Sequence, residues 1–187
     1  MNHSVRRGPS RPSLLPGRIV LLSHRPFETR ALGRRLGRHL EGNEIIALSG
    51  PLGSGKTCLA QGLGRGLGIA QPINSPSFVL MKRYRGRRQL THWDWYRLNA
   101  MADLESSGFG DPQIESGVII IEWAEKFLDC LEQPFLHIEI ALGGGNTRRM
   151  VLAVRGRSVR FRRLLREIEA WWKARQKNGK TDTNPGH

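Results

Sequence analysis

The stretch "SGPLGSGKTCLA", Ser49 to Ala60, constrains this chain more than any other. Gly50, Gly55, Lys56 and Thr57 fit G-x-x-x-x-G-K-[ST], a loop whose backbone wraps phosphates. Such a loop works only between a buried strand and the first turn of a helix. The flanks comply. Ile45–Leu48 is a short apolar run that reads as a strand, and a helical segment follows from Lys56 to about Leu67.

The residue types then predict chemistry. The loop places backbone N–H groups of Gly50, Leu52, Gly53, Ser54 and Gly55 around the α- and β-phosphates of a nucleotide, ATP in the first reading. The helix behind it adds the partial positive charge of its N-terminus. Lys56 reaches the β- and γ-phosphates, and Thr57 offers a hydroxyl to Mg²⁺. Cys58, in the first helical turn, belongs to the same nucleotide-binding set. Hydrolysis also needs a second anchor for magnesium, usually an acid that ends a neighbouring buried strand. Glu122 follows the apolar run Val118–Ile121 and meets that description. Asp94 lies in "HWDWYRL", at the end of a strand expected over Gln89–Trp95. It suits a metal-bound water or the positioning of an attacking water. A packed strand with one satisfied carboxylate is the alternative. His92 reads as structural.

The rest of the chain organises around this centre. Residues 1–17, rich in Pro, Ser, Gly and Arg, read as a disordered basic extension. A P-loop domain spans 18–156. In it Ile19–Leu22 is a strand, and Leu32, Leu36 and Leu40 mark the buried face of a helix that begins near Pro26. Gly62, Gly64, Gly66 and Gly68 cost a helix about 1 kcal/mol each against Ala. They predict either close packing against a neighbour or early fraying. Phe78–Tyr84 and Gln89–Trp95 read as strands around Arg85-Gly86-Arg87, with a loop and short helix from Tyr96 to about Ser116. Leu136–Leu142 and Arg148–Arg155 flank a hairpin turn at Gly143-Gly144-Gly145-Asn146. Ser158 is placed to cap a basic amphipathic helix over 157–176, and 177–187 reads as a flexible tail.

The net charge of +14 is not spread evenly. Residues 1–18 carry +4 and residues 155–180 carry +8, while residues 19–154 carry only +3. The basic ends suit a polyanion such as RNA, or simply solvent. Cys58 and Cys130 are the only cysteines and read as free thiols of a reducing cytoplasm. No run approaches the ~18 apolar residues of a membrane span.

Four segments taken together, "SGPLGSGKTCLAQGLGRGLG", "SPSFVLMKRY", "HWDWYRL" and "IIIEWAEKF", resemble the TsaE (YjeE) family of bacterial tRNA threonylcarbamoyladenosine synthesis ATPases. The likeness runs from about Ile19 to Arg155. It implies an α/β, P-loop NTPase-like three-layer fold with a mixed, mainly parallel central sheet. It implies weak ATP hydrolysis, stimulated within a complex that modifies tRNA at position 37, beside the anticodon. The implied partners are the threonylcarbamoyl transferase subunit and its companion subunit, with tRNA contacted only indirectly. In such proteins Mg²⁺ is held by the residues that match Thr57 and Glu122. The likeness also places Trp123 near the nucleotide, makes Asp94 necessary for hydrolysis alongside Lys56, and makes Ser75–Phe78 a switch-like segment. Pro51, Cys58, Ser77 and Val79 depart from common family residues.

Two rival functions use the same loop. A small-molecule kinase needs an arginine-bearing lid, for which Arg83, Arg85, Arg87 and Arg88 are available. A non-enzymatic RNA-binding module would use the nucleotide only as a switch.

Overall fold

The computed structural model describes residues 17–111 and 117–178. The expected N-terminal extension, except Gly17, lies outside the described residues, as does the tail expected over 177–187, except Lys177 and Asn178, which instead end the last helix. The elements in chain order are β1 (Arg18–Ser23), α1 (Pro26–His39), β2 (Ile45–Ser49), α2 (Lys56–Gly66), β3 (Met81–Tyr84) and β4 (Leu90–Asp94). Then come α3 (Met101–Ser106), β5 (Val118–Glu122), two 3-10 turns (Ala124–Lys126 and Leu128–Cys130), β6 (Phe135–Leu142), β7 (Arg148–Arg155) and α4 (Val159–Asn178).

All seven strands form one sheet in the order β1-β7-β6-β2-β5-β4-β3. The four central strands β6, β2, β5 and β4 run parallel. The outer pairs β1–β7, β6–β7 and β3–β4 are antiparallel. The fold is thus the expected three-layer α/β architecture with a mixed sheet. Strands β2, β4 and β5 are buried at every residue, as central strands covered on both faces must be. The strand period of two divides their side chains. Ile46, Leu48, Val118 and Ile120 meet helices α1, α2 and α4 on one face. Ile45, Ala47, Ile119 and Ile121 meet α3 and the 3-10 turns on the other. The helix predicted from Leu32, Leu36 and Leu40 does bury those residues completely, each worth about 1.5–3 kcal/mol.

The glycines of α2 pack closely instead of fraying. A Cβ on Gly62 would sit 2.1 Å from the Arg30 carbonyl oxygen, and one on Gly66 2.3 Å from that of Arg34. The contact is reciprocal: a Cβ on Gly33 or Gly37 would meet the Leu59 or Leu63 carbonyl at 2.2 Å. Only glycines let two helix backbones approach so far.

α4 closes the helical face. The Ser158 hydroxyl accepts the Phe161 N–H at 3.2 Å, which is the expected cap. Phe161, Leu164, Leu165, Ile168 and Trp172 are buried as the periodicity requires.

One expected strand is shorter. Phe78–Tyr84 pairs only from Met81. Residues 77–79 form a turn in which the Val79 N–H bonds the Pro76 carbonyl, and Leu80 adopts a left-handed φ of 61°. The β-rich composition of Phe78-Val79-Leu80 loses here because the neighbouring serines are captured by another strand's carboxylate. Phe78 and Val79 are left exposed.

Candidate functional site

The site lies where the carboxyl ends of three adjacent parallel strands meet, the usual ligand position in an open α/β sheet. Register puts Leu48 of β2 opposite Glu122 of β5, and Glu122 opposite Asp94 of β4. The phosphate loop, the candidate metal carboxylate and the second carboxylate therefore stand in a row. Alternation along β4 turns His92 and Asp94 toward this row and sends Trp93 to the opposite core.

Between β2 and α2 the loop turns through Gly50, Gly53 and Gly55, at φ of 136°, 74° and 106°. These left-handed conformations explain the glycines. The Lys56 ammonium donates to the Gly50 and Pro51 carbonyls at 2.6 and 3.0 Å. It also lies 3.8 Å from the centre of the Trp123 ring. Burial lowers the Lys56 pKa, opposed by the nearby carboxylates of Glu122, Glu125 and Asp94. Pro51 costs the loop one N–H, yet its carbonyl accepts both from Lys56 and from the Ser54 N–H.

The Thr57 hydroxyl donates to Glu122 Oε2 at 2.9 Å. Glu122 Oε1 lies 3.0 Å from His92 Nε2, and His92 is completely buried. His92 thus holds the carboxylate from behind while Thr57 holds it from the loop side. Asp94 is gripped as tightly. Its Oδ2 accepts the hydroxyls of Ser75 and Ser77, the latter at 2.7 Å, and its Oδ1 accepts the Tyr96 N–H at 2.9 Å. Ser77, a departure from the commoner threonine, keeps the hydroxyl that matters. Val79, the other departure in this segment, points into solvent.

A cavity of about 300 Å³ joins these parts, lined by loop residues together with Ser75, Ser77, Asp94, Glu122 and Trp123. Leu52, Gly53, Gly55, Lys56, Thr57 and Cys58 line it. Gly50 and Ser54 stand behind it: Gly50 faces Lys56 and Glu125, and Ser54 is buried. Cys58, at the rim, donates its thiol to the Pro26 carbonyl, and burial pushes its pKa up. Trp123 takes a left-handed φ of 62° that turns its ring under Tyr96, with centroids 4.8 Å apart.

Three contributors reach the site only through the fold. Arg148, which opens β7, donates to the Ser54 and Gly53 carbonyls at 3.0 and 3.2 Å. In a trans peptide this turns the following N–H of Gly55 to the opposite side. Glu125 accepts the Gly50 N–H at 3.3 Å. His92 sits inside the quoted motif, but only the fold brings it to Glu122. By contrast the arginines available for a lid, Arg83, Arg85, Arg87 and Arg88, do not line the cavity. Arg87 instead bonds the Gly37 and Leu40 carbonyls at the end of α1.

The donor set fits magnesium completed by a nucleotide. One hydroxyl and one carboxylate converge, and among the described residues no group of three His, Cys, Asp or Glu forms a cage. Mg²⁺ ordinarily takes one or two protein oxygens and fills its remaining positions with phosphate and water.

Known proteins share this chain's sequence pattern and fold. The family model described as "Threonylcarbamoyl adenosine biosynthesis protein TsaE" matches residues 23–150. A tRNA threonylcarbamoyladenosine biosynthesis protein TsaE from Mycobacterium tuberculosis is 35% identical over 146 residues, 73% of this chain and 86% of that protein. The protein of the same name from a Nostoc species is 43% identical over 122 residues, 63% of this chain and 74% of the relative. The crystal structure of Bacillus subtilis YdiB superposes with a TM-score of 0.67 at 26% identity, over 84% of this chain and 98% of that one. The strand-end row of loop, glutamate and aspartate therefore sits in a chain that belongs to the TsaE family.

Proposed function

We propose that this protein is the Mg²⁺-dependent ATPase of tRNA threonylcarbamoyladenosine biosynthesis, slow alone and stimulated when bound to the transferase subunit and its companion. The contact between the Thr57 hydroxyl and the Glu122 carboxylate, at the mouth of a phosphate loop, carries the reading. Among the described residues no helix is long and apolar enough to cross a membrane.

The chain's own residues divide the labour. Loop amides and the α2 N-terminus bind the phosphates. Lys56 leaves the Gly50 and Pro51 carbonyls for the β- and γ-phosphates, keeping its charge beside Trp123. Thr57 and Glu122 would hold the metal, which would supply charge neutralisation at the phosphoryl oxygens. Asp94, already oriented by the Tyr96 amide, positions the attacking water. The Ser75–Leu80 segment changes partners with the γ-phosphate, because its serines and that phosphate compete for the same corner of the site. The partner subunits must then bind the ATP and ADP forms with different affinities for hydrolysis to reset the complex.

Measuring phosphate release checks this. Glu122→Ala, Thr57→Ala and Lys56→Ala each lose at least about 100-fold in turnover. Unchanged turnover by Glu122→Ala removes Glu122 from the metal site. A pull-down with ATP against ADP should retain the two partner subunits differently. Transfer of the γ-phosphate to a metabolite, without release of inorganic phosphate, would replace this reading with a kinase.

A further inference from the structure

The glycine contact between α1 and α2 has an outward consequence. With Gly62 and Gly66 seated on the Arg30 and Arg34 carbonyls, the exposed rows of the two helices run side by side. Arg30 and Arg34 stand at i, i+4 on α1, so their Cβ atoms are about 5–6 Å apart. Arg65 faces them from α2, and Arg175 reaches in from α4. Together with Phe27 they line an open groove of about 840 Å³, against about 300 Å³ for the phosphate cavity. No acid is among the lining residues. Among the described residues none of these four arginines is in an ion pair, whereas Arg160, Arg163 and Lys173 elsewhere on α4 are paired with glutamates.

Two arginines are pre-set. Arg65 is tied to the Ile69 and Ala70 carbonyls, and Arg30 touches Cys58 Sγ at 3.6 Å at the rim of the phosphate cavity. Phe27 remains 44% exposed, with the Arg175 guanidinium 5.7 Å from its ring centre. One wall of the groove is residues 71–74, fastened by Gln61 Nε2 to the Ile73 carbonyl at 3.1 Å. Asn74 in that wall directly precedes Ser75, which bonds Asp94.

We propose that this groove binds the phosphate backbone of an RNA strand directly, with Phe27 as a stacking surface for a base. Planar guanidinium forks match phosphate oxygens. An exposed aromatic ring among them is the arrangement of single-strand binding surfaces, where a base stacks on the ring while the forks hold the phosphates. The inference rests on the proposed role in tRNA modification only for the class of nucleic acid. It differs from that role in making the contact direct.

The test is RNA binding by the full chain without nucleotide, measured by fluorescence anisotropy across salt concentrations. A labelled single-stranded RNA oligonucleotide and a folded tRNA are the probes. Arg34→Ala/Arg175→Ala should weaken binding about tenfold at low salt and reduce the salt slope by about 1.4 for the single strand. Arg162→Ala/Arg166→Ala removes the same charge from α4 outside the groove and should change binding less than twofold. Phe27→Ala should weaken the oligonucleotide without changing its salt slope. Equal losses in both arginine pairs would show attraction to net charge alone and overturn the site, as would no measurable RNA binding at low salt. Binding of labelled polyglutamate that depends on Arg34 and Arg175, with RNA binding indifferent to them, would assign the groove to an acidic protein segment instead. Lys56→Ala stops hydrolysis yet should leave RNA affinity unchanged, so the two readings fail separately.

Discussion

The two walls of the phosphate cavity are built on different principles. The loop wall, residues 50–57, is anchored by things that do not let go. Its helix is pressed to α1 through backbone-on-backbone glycine contacts, and its Gly53 and Ser54 carbonyls are held by Arg148 from a distant strand. The opposite wall, residues 75–80, is held by two serine hydroxyls on one carboxylate and one backbone bond from the Asp94 N–H to the Leu80 carbonyl, and leaves Phe78 and Val79 85% and 59% exposed. Buried close packing is costly to disturb, whereas a few hydroxyl bonds at a cavity edge exchange for about 1 kcal/mol each. The difference teaches which wall binds and which wall changes.

Adding volume at the glycine seam should have the largest effect. Gly62→Ala gains about 1 kcal/mol of helix propensity but drives a methyl to 2.1 Å from the Arg30 carbonyl. A net loss of about 2 kcal/mol in urea unfolding is expected, with nucleotide affinity falling alongside. A stabilised variant would show that the seam is loose and the contrast wrong.

Freeing the other wall should change chemistry and mobility while leaving stability nearly alone. Ser77→Ala, which leaves the Ser75 hydroxyl on Asp94, should raise amide exchange over residues 75–80 and lower turnover about tenfold, with the unfolding free energy lowered by about 1 kcal/mol. Unfolding of the whole domain would mean that this hydroxyl is a structural pillar and not a latch.

Arg148→Ala sharpens the comparison from the loop side. Losing its two loop carbonyls should weaken nucleotide binding about tenfold, roughly 1.4 kcal/mol, while exchange over 75–80 stays as in the parent. Equal loosening of both walls would show that they move as one.

The smallest effect is a pH slope. His137 lies on β6, beside β2, with its Nε2 2.8 Å from the Ser49 hydroxyl, and burial followed by Arg155 lowers its pKa. The unfolded chain therefore takes up this proton first as pH falls below about 6.5. Stability should drop from there down to the lowered native pKa and lose no more to this group beneath it. His137→Gln should flatten that part of the curve, read from melting temperature between pH 7 and 5, without altering exchange over 75–80.

Particular residues show how much was legible in the chain. Leu32, Leu36 and Leu40 announced a buried helical face because a period near four needs no partner to be read. Val118–Ile121 announced a strand covered on both sides, and Glu122 followed from its position after it. Phe78-Val79-Leu80 misled, because β-branched and aromatic composition cannot register that Asp94, many residues away, captures the flanking serines. Arg148 and Glu125 were silent for the same reason: an isolated charge carries no sign of the carbonyl or amide it will meet.

The sequence by itself determined the phosphate loop, the order of strands and helices, and the family, since these follow from local spacing and residue type. Only the tertiary structure decided that the α2 glycines form a helix seam, that His92 and Thr57 share one carboxylate, and that four arginines from three helices line one groove. Those are long-range coincidences in space. They depend on strand register and helix approach, which no run of neighbouring residues encodes.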